Sequence, residues 1–539
     1  MKNYKKFLPS ILLIVTVLLG YLLRTLGINW DQGQHLHPDE RMLIMVADRI
    51  QFFSQLNPHF FNYGSLPIYL LKGISQFLDT TFSTHLANYD GMLYVGRVLS
   101  ALADSLTISV IFGIAVQLTR NKRMGILAAF TYAVAFFPIQ NSHFFIVDTF
   151  LTLWTSLLLY FTIRFVKNHS FQWIVLMSFC FAAALATKVT ASIFLPVILC
   201  VLCIMQKPFF PFNKNGILLW IYTTALFIST TLLFHLFFMP YAYIETQTFL
   251  KDISEQLKMN SDPYIFPYTR QYVGTLPYWY YVKNIALWGW GPFLFLLSSI
   301  GLFLAVRIFR SKRNNVSLFC IASIFYLLYF LVIGRSAVKF MRYMLILYPA
   351  MALLAGYALV HINKKIASLV LLGACIWTVS FMAIYSKPNT RVEATNWILE
   401  HIPAGSHLAV EHWDDRLPIR NGEHYTTTDL PLYDLPDDER KFENINRILN
   451  NSDYIIIASN RLITPLPKLK DCSLYTYCYP RTARYYEDLI SGKLGFHLVA
   501  EFHQTPRIPI LNIAIDDQSA DESFTVYDHP KVMIFQKTK

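Results

Sequence analysis

The sequence predicts a polytopic α-helical membrane protein with a C-terminal α/β domain outside the membrane, and three observations carry that prediction. Of its 539 residues 54% are hydrophobic and 15% charged, with a mean hydropathy of +0.38, a membrane composition. Apolar runs long enough for a hydrocarbon core of about 30 Å recur as far as residue 385 and then stop. Lys and Arg gather in every second loop. The net charge of +12 would suit a nucleic-acid binder, but its confinement to short loops follows the positive-inside rule instead and excludes that class.

The apolar runs define about eleven spans, near 7–27, 92–119, 124–140, 149–166, 171–188, 190–206, 217–239, 285–306, 316–333, 343–360 and 366–385. The first is too long for a removed signal and lacks a small-residue cleavage site, so it reads as a retained anchor. The cations fall at Lys2, Lys5 and Lys6; Arg120, Lys122 and Arg123; Arg164 and Lys167; Lys207 and Lys214; Arg307, Arg310, Lys312 and Arg313; Lys364 and Lys365. These loops read as cytoplasmic, with the N-terminus. Segments 28–91, 141–148, 240–284, 334–342 and everything after 386 then lie on the outer face of a multi-pass cell-membrane protein. The domains read as 1–385, with a long outer loop 28–91, and 386–539.

Within that loop, Pro38 suits the first position of a helix whose apolar residues Leu43, Val46, Ala47 and Ile50 recur at helical spacing. Its first turn holds the acid pair Asp39 and Glu40, after His37. Carboxylates there complement the helix dipole, but adjacent acids beside a hydrophobic anchor are also what an enzyme activating a hydroxyl at the membrane surface requires. Leu66 to Leu78 is too short to span and reads as interfacial. Loop 240–284 is rich in aromatics, an interfacial belt or a wall for a sugar or lipid-linked ligand. After Ser386 a helix over Glu393–His401 and strands at 407–410, 454–458, 497–502 and 532–536 give an α/β domain of about 150 residues. It has no glycine-rich phosphate loop, so nucleotide binding is unsupported. Five cysteines fall in spans and read as small buried hydrophobes. Cys472 and Cys478 both fall outside, where an oxidising compartment permits them to pair.

Further charges sit where outer loops meet spans: Asp148 at the start of the fourth, Lys188 at the end of the fifth, and Lys339 and Arg342 at the tenth. Each alone reads as a boundary residue; their shared depth brings acids and bases to one cavity. That mixture fits transfer of a sugar from a lipid-linked phosphate to a hydroxyl. One carboxylate serves as base, cations stabilise the departing phosphate, and no general acid is needed. A glycosidase would instead need two carboxylates flanking the bond.

These residues resemble those of the bacterial relatives of protein O-mannosyltransferases, polytopic glycosyltransferases of the C superfamily that use polyprenyl-phosphate sugars. The resemblance runs over nearly the whole chain: His37-Pro38-Asp39-Glu40, Ser142-His143 with Val147-Asp148-Thr149, Ala186-Thr187-Lys188, Gln271-Tyr272 with Gly274-Thr275, and Lys339 with Arg342-Tyr343. It continues through Glu411-His412-Trp413-Asp414 and Val526-Tyr527-Asp528-His529-Pro530. It implies Asp39 as general base, with Glu40 orienting the acceptor or a neighbouring cation. Asp148 would line the same cavity, with His37, His143, Tyr272 and Tyr343, while Arg342 with Lys188 or Lys339 grips the donor phosphate. Relatives differ in metal use; a divalent cation would have Asp39 and Asp148 as candidate ligands, and no cofactor is certain. The partners implied are a polyprenyl-phosphate sugar and a protein, lipid or glycan acceptor, since the lipid A aminoarabinose transferases share the architecture and modify a lipid. The alternative is a transporter or flippase for a lipid-linked glycan, but the sequence shows neither broken helices nor an internal repeat, and its charges sit at one face rather than at the midplane.

The charge pattern makes a topology prediction. In intact cells a membrane-impermeant thiol reagent should label Asp415→Cys and spare Lys312→Cys; the reverse pattern would overturn the orientation.

Overall fold

The computed structural model describes residues 4–206, 213–309 and 316–538. Lys2, Lys207, Arg310, Lys312 and Arg313, counted above among the cytoplasmic cations, lie outside them. The chain forms two compact units: Met1–Ile28, Pro38–Leu257 and Pro277–Val379 in the first, and Asn29–His37, Lys258–Leu276 and Ser380–Lys539 in the second.

The first unit is helical. Among the described residues seven helices are long and apolar enough to cross a membrane, and Lys122–Ala133 and Phe136–Ser142 pass the same test together as a pair bent by 58°. The shorter apolar helices Phe171–Leu185, Pro292–Arg307 and Leu318–Ile333 occupy the remaining predicted runs. The run at 285–306 is not one helix. A π-turn over Ile285–Gly289 ends it, and the helix restarts at Pro292 after Gly291 at φ +79°. A side chain at Gly291 would put its Cβ 2.9 Å from the Trp377 indole nitrogen, so the break needs both the left-handed conformation and the missing Cβ. The outer loop forms two helices, Pro38–Asp48 and Ser65–Phe82. The second, read above as interfacial, buries Ile68 and Leu71 in one cluster with Leu43, Ile44, Met92 and Leu93.

Charges inside this apolar unit are paired. Arg24 donates to Asp104 at 2.6 Å, and Asp104 also accepts from the Tyr132 hydroxyl at 2.5 Å. Arg97 makes a two-pronged contact with Glu40, 2.9 and 2.7 Å, and Glu40 accepts the Phe145 backbone N–H at 2.8 Å. Both ion-paired side chains are wholly buried in each case. Removing one partner leaves an uncompensated buried charge, whereas removing both does not.

The second unit is α/β. Strands β1 His407–Glu411, β2 Thr426–Leu430, β3 Tyr454–Ile457, β4 Phe496–Phe502, and β7 Val532–Lys537 form a sheet ordered β2-β1-β3-β7-β4; a short hairpin, β5 Arg507–Ile508 with β6 Ile513–Ala514, stands apart from it. β1 runs parallel to β2 and β3, and β7 is antiparallel to β3 and β4. Alternate residues face opposite layers. Ala409, Ile455 and Ile457 pack with Ile445, Leu449 and Tyr486 from helices Glu439–Asn450 and Pro480–Ile490. Leu408, Val410 and Ile456 pack with Ala394 and Ile398 of helix Thr390–His401, which begins three residues before the predicted Glu393. A disulfide joins Cys472 and Cys478. The Asp528-His529 motif is a buried knot: the His529 ring meets Asp528 on one nitrogen and Asp517 on the other, and Asp528 accepts from the Tyr385 hydroxyl at 2.7 Å.

Two stability predictions follow from these paired charges. Arg97→Met should cost about 3–5 kcal/mol, read as a lower melting temperature in detergent, and adding Glu40→Gln should recover most of it; an unchanged melting temperature for Arg97→Met would refute the pair's role. For His529, burial opposes the proton, but Asp528 and Asp517 outweigh it and hold the pKa up at about 10. The folded value lies above the unfolded one of about 6.5. This contribution is therefore complete below about pH 6.5 and declines as pH rises through about 10. Melting followed over that window should fall with pH in the wild type and less steeply in His529→Gln.

Candidate active site

Four charged side chains of the first unit meet at breaks between helices. Asp39 lies in the first turn of Pro38–Asp48 and Asp148 in the first turn of Val147–Asn168, where N-terminal backbone N–H groups favour a carboxylate. Lys188 is the extended residue between helix Phe171–Leu185 and the 3₁₀ turn Val189–Phe194, and Arg342 opens the 3₁₀ turn Met341–Leu347. The Arg342 guanidinium is shared: its Nη1 is ion-paired with Asp39, and its Nε lies 3.9 Å from Asp148. Lys188 donates to the other oxygen of Asp148 at 2.8 Å and lies 4.4 Å from the centre of the Tyr343 ring. Two anions and two cations thus form one neutral quartet. It is not sealed, since Asp39 keeps 22% of its side-chain exposure and Lys188 12%.

A fifth member, Tyr63, was not picked out from the sequence. Its hydroxyl donates to Asp39 at 3.2 Å. Burial, and then the Asp39 charge, push its pKa well above the ordinary phenol value, so Tyr63 stays a proton-bearing donor. The turn carrying it is strapped to the Lys188 segment by Gly64 N–H to Thr187 O and Leu66 N–H to Ala186 O, both 3.0 Å. A Cβ on Gly64 would overlap the Ala186 carbonyl at 1.9 Å, so only glycine permits the approach. Tyr63 also walls a largely apolar cavity of about 250 Å³, with Phe61, Leu185, Val189, His235 and Phe249.

Other predicted site residues sit elsewhere. Glu40 points away from Asp39 into the core and engages Arg97, a neighbouring cation the sequence reading passed over. Lys339 is buried, its ammonium donating to the Ala337 carbonyl at 2.9 Å. His143 is buried with its ring nitrogens 2.9 and 2.8 Å from the Ile139 and Leu26 carbonyls, tying the end of the first span to the bent pair. His37 and Tyr272 belong to the second unit, where the His37 ring lies 4.1 Å from that of Tyr527 and Tyr272 is buried. Arg97 could have been found as an arginine inside an apolar run, where a charge needs a partner. Tyr63 carried no such signal.

Among the described residues no group of three or more His, Cys, Asp or Glu side chains gathers as a metal site. Asp39 and Asp148, the candidate ligands, both face Arg342.

Residues 80–235 match the family described as dolichyl-phosphate-mannose-protein mannosyltransferase, a stretch that includes His143, Asp148 and Lys188. The apo oligosaccharyltransferase of Archaeoglobus fulgidus is similar in structure at 12% identity, over 100% of this chain and 89% of that one, with a TM-score of 0.54. The chain has the fold of this oligosaccharyltransferase. The archaeal oligosaccharyltransferase AglB from Archaeoglobus fulgidus, in complex with an inhibitory peptide and a dolichol-phosphate, is similar in structure at 13% identity over 95% of this chain and 75% of that one, TM-score 0.51. ArnT from Cupriavidus metallidurans bound to undecaprenyl phosphate matches at 12% identity over 85% and 94%, TM-score 0.49. No curated protein matches the chain in sequence. The family match over residues 80–235 points to a glycosyltransferase, and the apolar helices to a membrane-embedded one.

Proposed function

We propose that the protein is an inverting glycosyltransferase that moves a sugar from a polyprenyl-phosphate donor to an acceptor hydroxyl at the outer face of the membrane. The observation that carries this reading is the shared guanidinium of Arg342, held between Asp39 and Asp148 with Lys188 alongside. A donor phosphate brings negative charge that competes with Asp39 for Arg342. Asp148 keeps Lys188 when Arg342 turns to the phosphate, while Asp39 keeps the Tyr63 hydrogen bond and regains a free lone pair. That freed oxygen takes the acceptor proton as the acceptor oxygen bonds the anomeric carbon. The bond from that carbon to the phosphate oxygen breaks, and its electron pair stays on the phosphate, against Arg342 and Lys188. A single displacement inverts the anomeric centre.

The apolar cavity beside Tyr63 suits the first isoprene units of the lipid. The family description names a dolichyl-phosphate-mannose donor and a protein acceptor, and the AglB structure holds a dolichol-phosphate and a peptide. Both support a lipid-linked donor and, among protein, lipid and glycan acceptors, favour protein. The loop cations support an N-terminus in the cytoplasm and an extracytoplasmic second unit.

Transfer from a synthetic polyprenyl-phosphate sugar, measured as released polyprenyl phosphate, tests the assignment. Asp39→Asn should lower turnover by about 10²- to 10⁴-fold with the protein still folded. Arg342→Ala should weaken donor binding and also slow transfer. A folded Asp39→Asn protein working above about a tenth of the wild-type rate would remove Asp39 from the role of base.

A further inference from the structure

We infer that the second unit carries a saccharide-binding site of its own, at the carboxyl ends of β1 and β3. The sheet order β2-β1-β3 makes this position special. The chain leaves β1 to pair β2 on one side and returns past β1 to pair β3 on the other, which opens a crevice between the ends of β1 and β3, where open α/β sheets bind ligands. The segments that follow the two strands, His412-Trp413-Asp414-Asp415 and Ser459-Asn460-Arg461, line that crevice.

Their chemistry restricts the ligand. Trp413 is 43% exposed although its backbone lies at φ +75°, a conformation uncommon for any residue with a Cβ and associated with functional sites. The Arg461 guanidinium holds it there by donating to the Trp413 carbonyl at 3.1 Å. The indole is flanked by the His412 ring, 5.4 Å away and nearly parallel, and by Tyr268 at 6.5 Å, itself stacked on Phe266. This is an open aromatic platform. Beneath it the polar groups form one coupled set: Arg461 donates to Glu522 at 2.6 Å, and Arg391 meets Asp414 and Asp415, each at 3.0 Å.

Beside that set two side-chain oxygens nine-tenths or more buried have no hydrogen-bond partner among the described residues: Asn460 Oδ1, just past β3, and Glu411 Oε2, at the last residue of β1. Burial pushes the Glu411 carboxyl well above the usual carboxylate range, so that it keeps its proton. Buried polar atoms are rarely left unpaired without a ligand or water to serve them. Both guanidinium groups at the crevice already face carboxylates, so an anionic ligand finds no free cation there, and no glycine-rich loop offers backbone N–H groups to a phosphate. With Glu411 holding its proton no unpaired anion calls for a cation either, so a neutral ligand remains, with hydroxyls that both donate and accept and a flat apolar face to lie on an indole. That is a sugar ring.

This site does not rest on the transfer reading and is tested without turnover. The full-length protein in detergent would be titrated with methyl glycosides of mannose, glucose, galactose and N-acetylglucosamine and with short oligosaccharides of each, followed by saturation-transfer NMR and tryptophan fluorescence. At least one should bind with millimolar or better affinity. Trp413→Ala should weaken that binding at least about tenfold, Trp413→Phe should retain most of it, and Asp39→Asn should leave it intact. Because Trp413 is exposed, an unchanged melting temperature serves as the folding control; if Trp413→Ala melts lower, Asn460→Ala at wild-type stability replaces it and should weaken binding likewise. No binding by any saccharide, binding indifferent to both substitutions, or preferential binding of an oligolysine peptide would overturn the proposal.

Discussion

A charge placed in or beside an apolar helical bundle must be partnered, and the way this chain partners two adjacent acids sets the geometry of everything around them. Consecutive residues on a helix point about 100° apart. Asp39 and Glu40 therefore cannot serve the same partner. Glu40 turns inward to Arg97, and the pair is further fixed by the Phe145 N–H. That locks the first turn of Pro38–Asp48 against the 31-residue helix Tyr89–Thr119 and the segment leading into Asp148. Asp39 is left on the other side of the turn, facing Arg342. The carboxylate that serves as base in the proposed reaction is thus aimed by its neighbour Glu40.

The same constraint explains why the site is a quartet rather than a lone acid and base. Unit charges 4 Å apart interact by about 4 kcal/mol at an effective dielectric near 20, so each carboxylate here is held by a cation and each cation by a carboxylate. Neutrality keeps the quartet stable. It also makes the arrangement responsive, because Arg342 serves two acids and Asp148 has a second cation in Lys188. In the proposed reaction the phosphate takes Arg342 from Asp39, while Asp148 keeps Lys188 and the partly exposed Asp39 keeps the Tyr63 hydroxyl.

The membrane fold was legible because hydrophobic length and loop charge act along the chain, where a sequence displays them. The same is true of four of the five strands in the main sheet, whose apolar runs are bounded by polar turns. Strand β2, Thr426-Thr427-Thr428-Asp429-Leu430, was missed because it is an edge strand with a mostly polar surface, and edges are blunted in that way. The break at Gly291 was missed because apolarity continues across it. Asp39, Asp148, Lys188 and Arg342 were legible as charges at a common depth, and the structure brings them together. Lys339 shares that depth, but its short reach to the Ala337 carbonyl depends on a turn that no pattern encodes. Tyr63 was hidden among the outer-loop aromatics; only the strap through Gly64 selects it.

Partnering also separates charges that build the protein from charges that act. Arg24–Asp104 and Arg97–Glu40 are wholly buried, and each acid in them accepts further hydrogen bonds. Lys441 in the second unit is likewise committed, to Asp437, the Leu432 carbonyl and the Thr482 hydroxyl. Such groups have no capacity left for a ligand, and their exchange for apolar pairs is the change the fold tolerates best. The quartet at Asp39 differs in being shared and partly open. The crevice after β1 and β3 differs again, with Glu411 and Asn460 each holding one buried oxygen in reserve. A polar group that is desolvated but not satisfied is costly to keep, and these two oxygens, set beside an exposed indole, mark a place where a ligand would repay that cost.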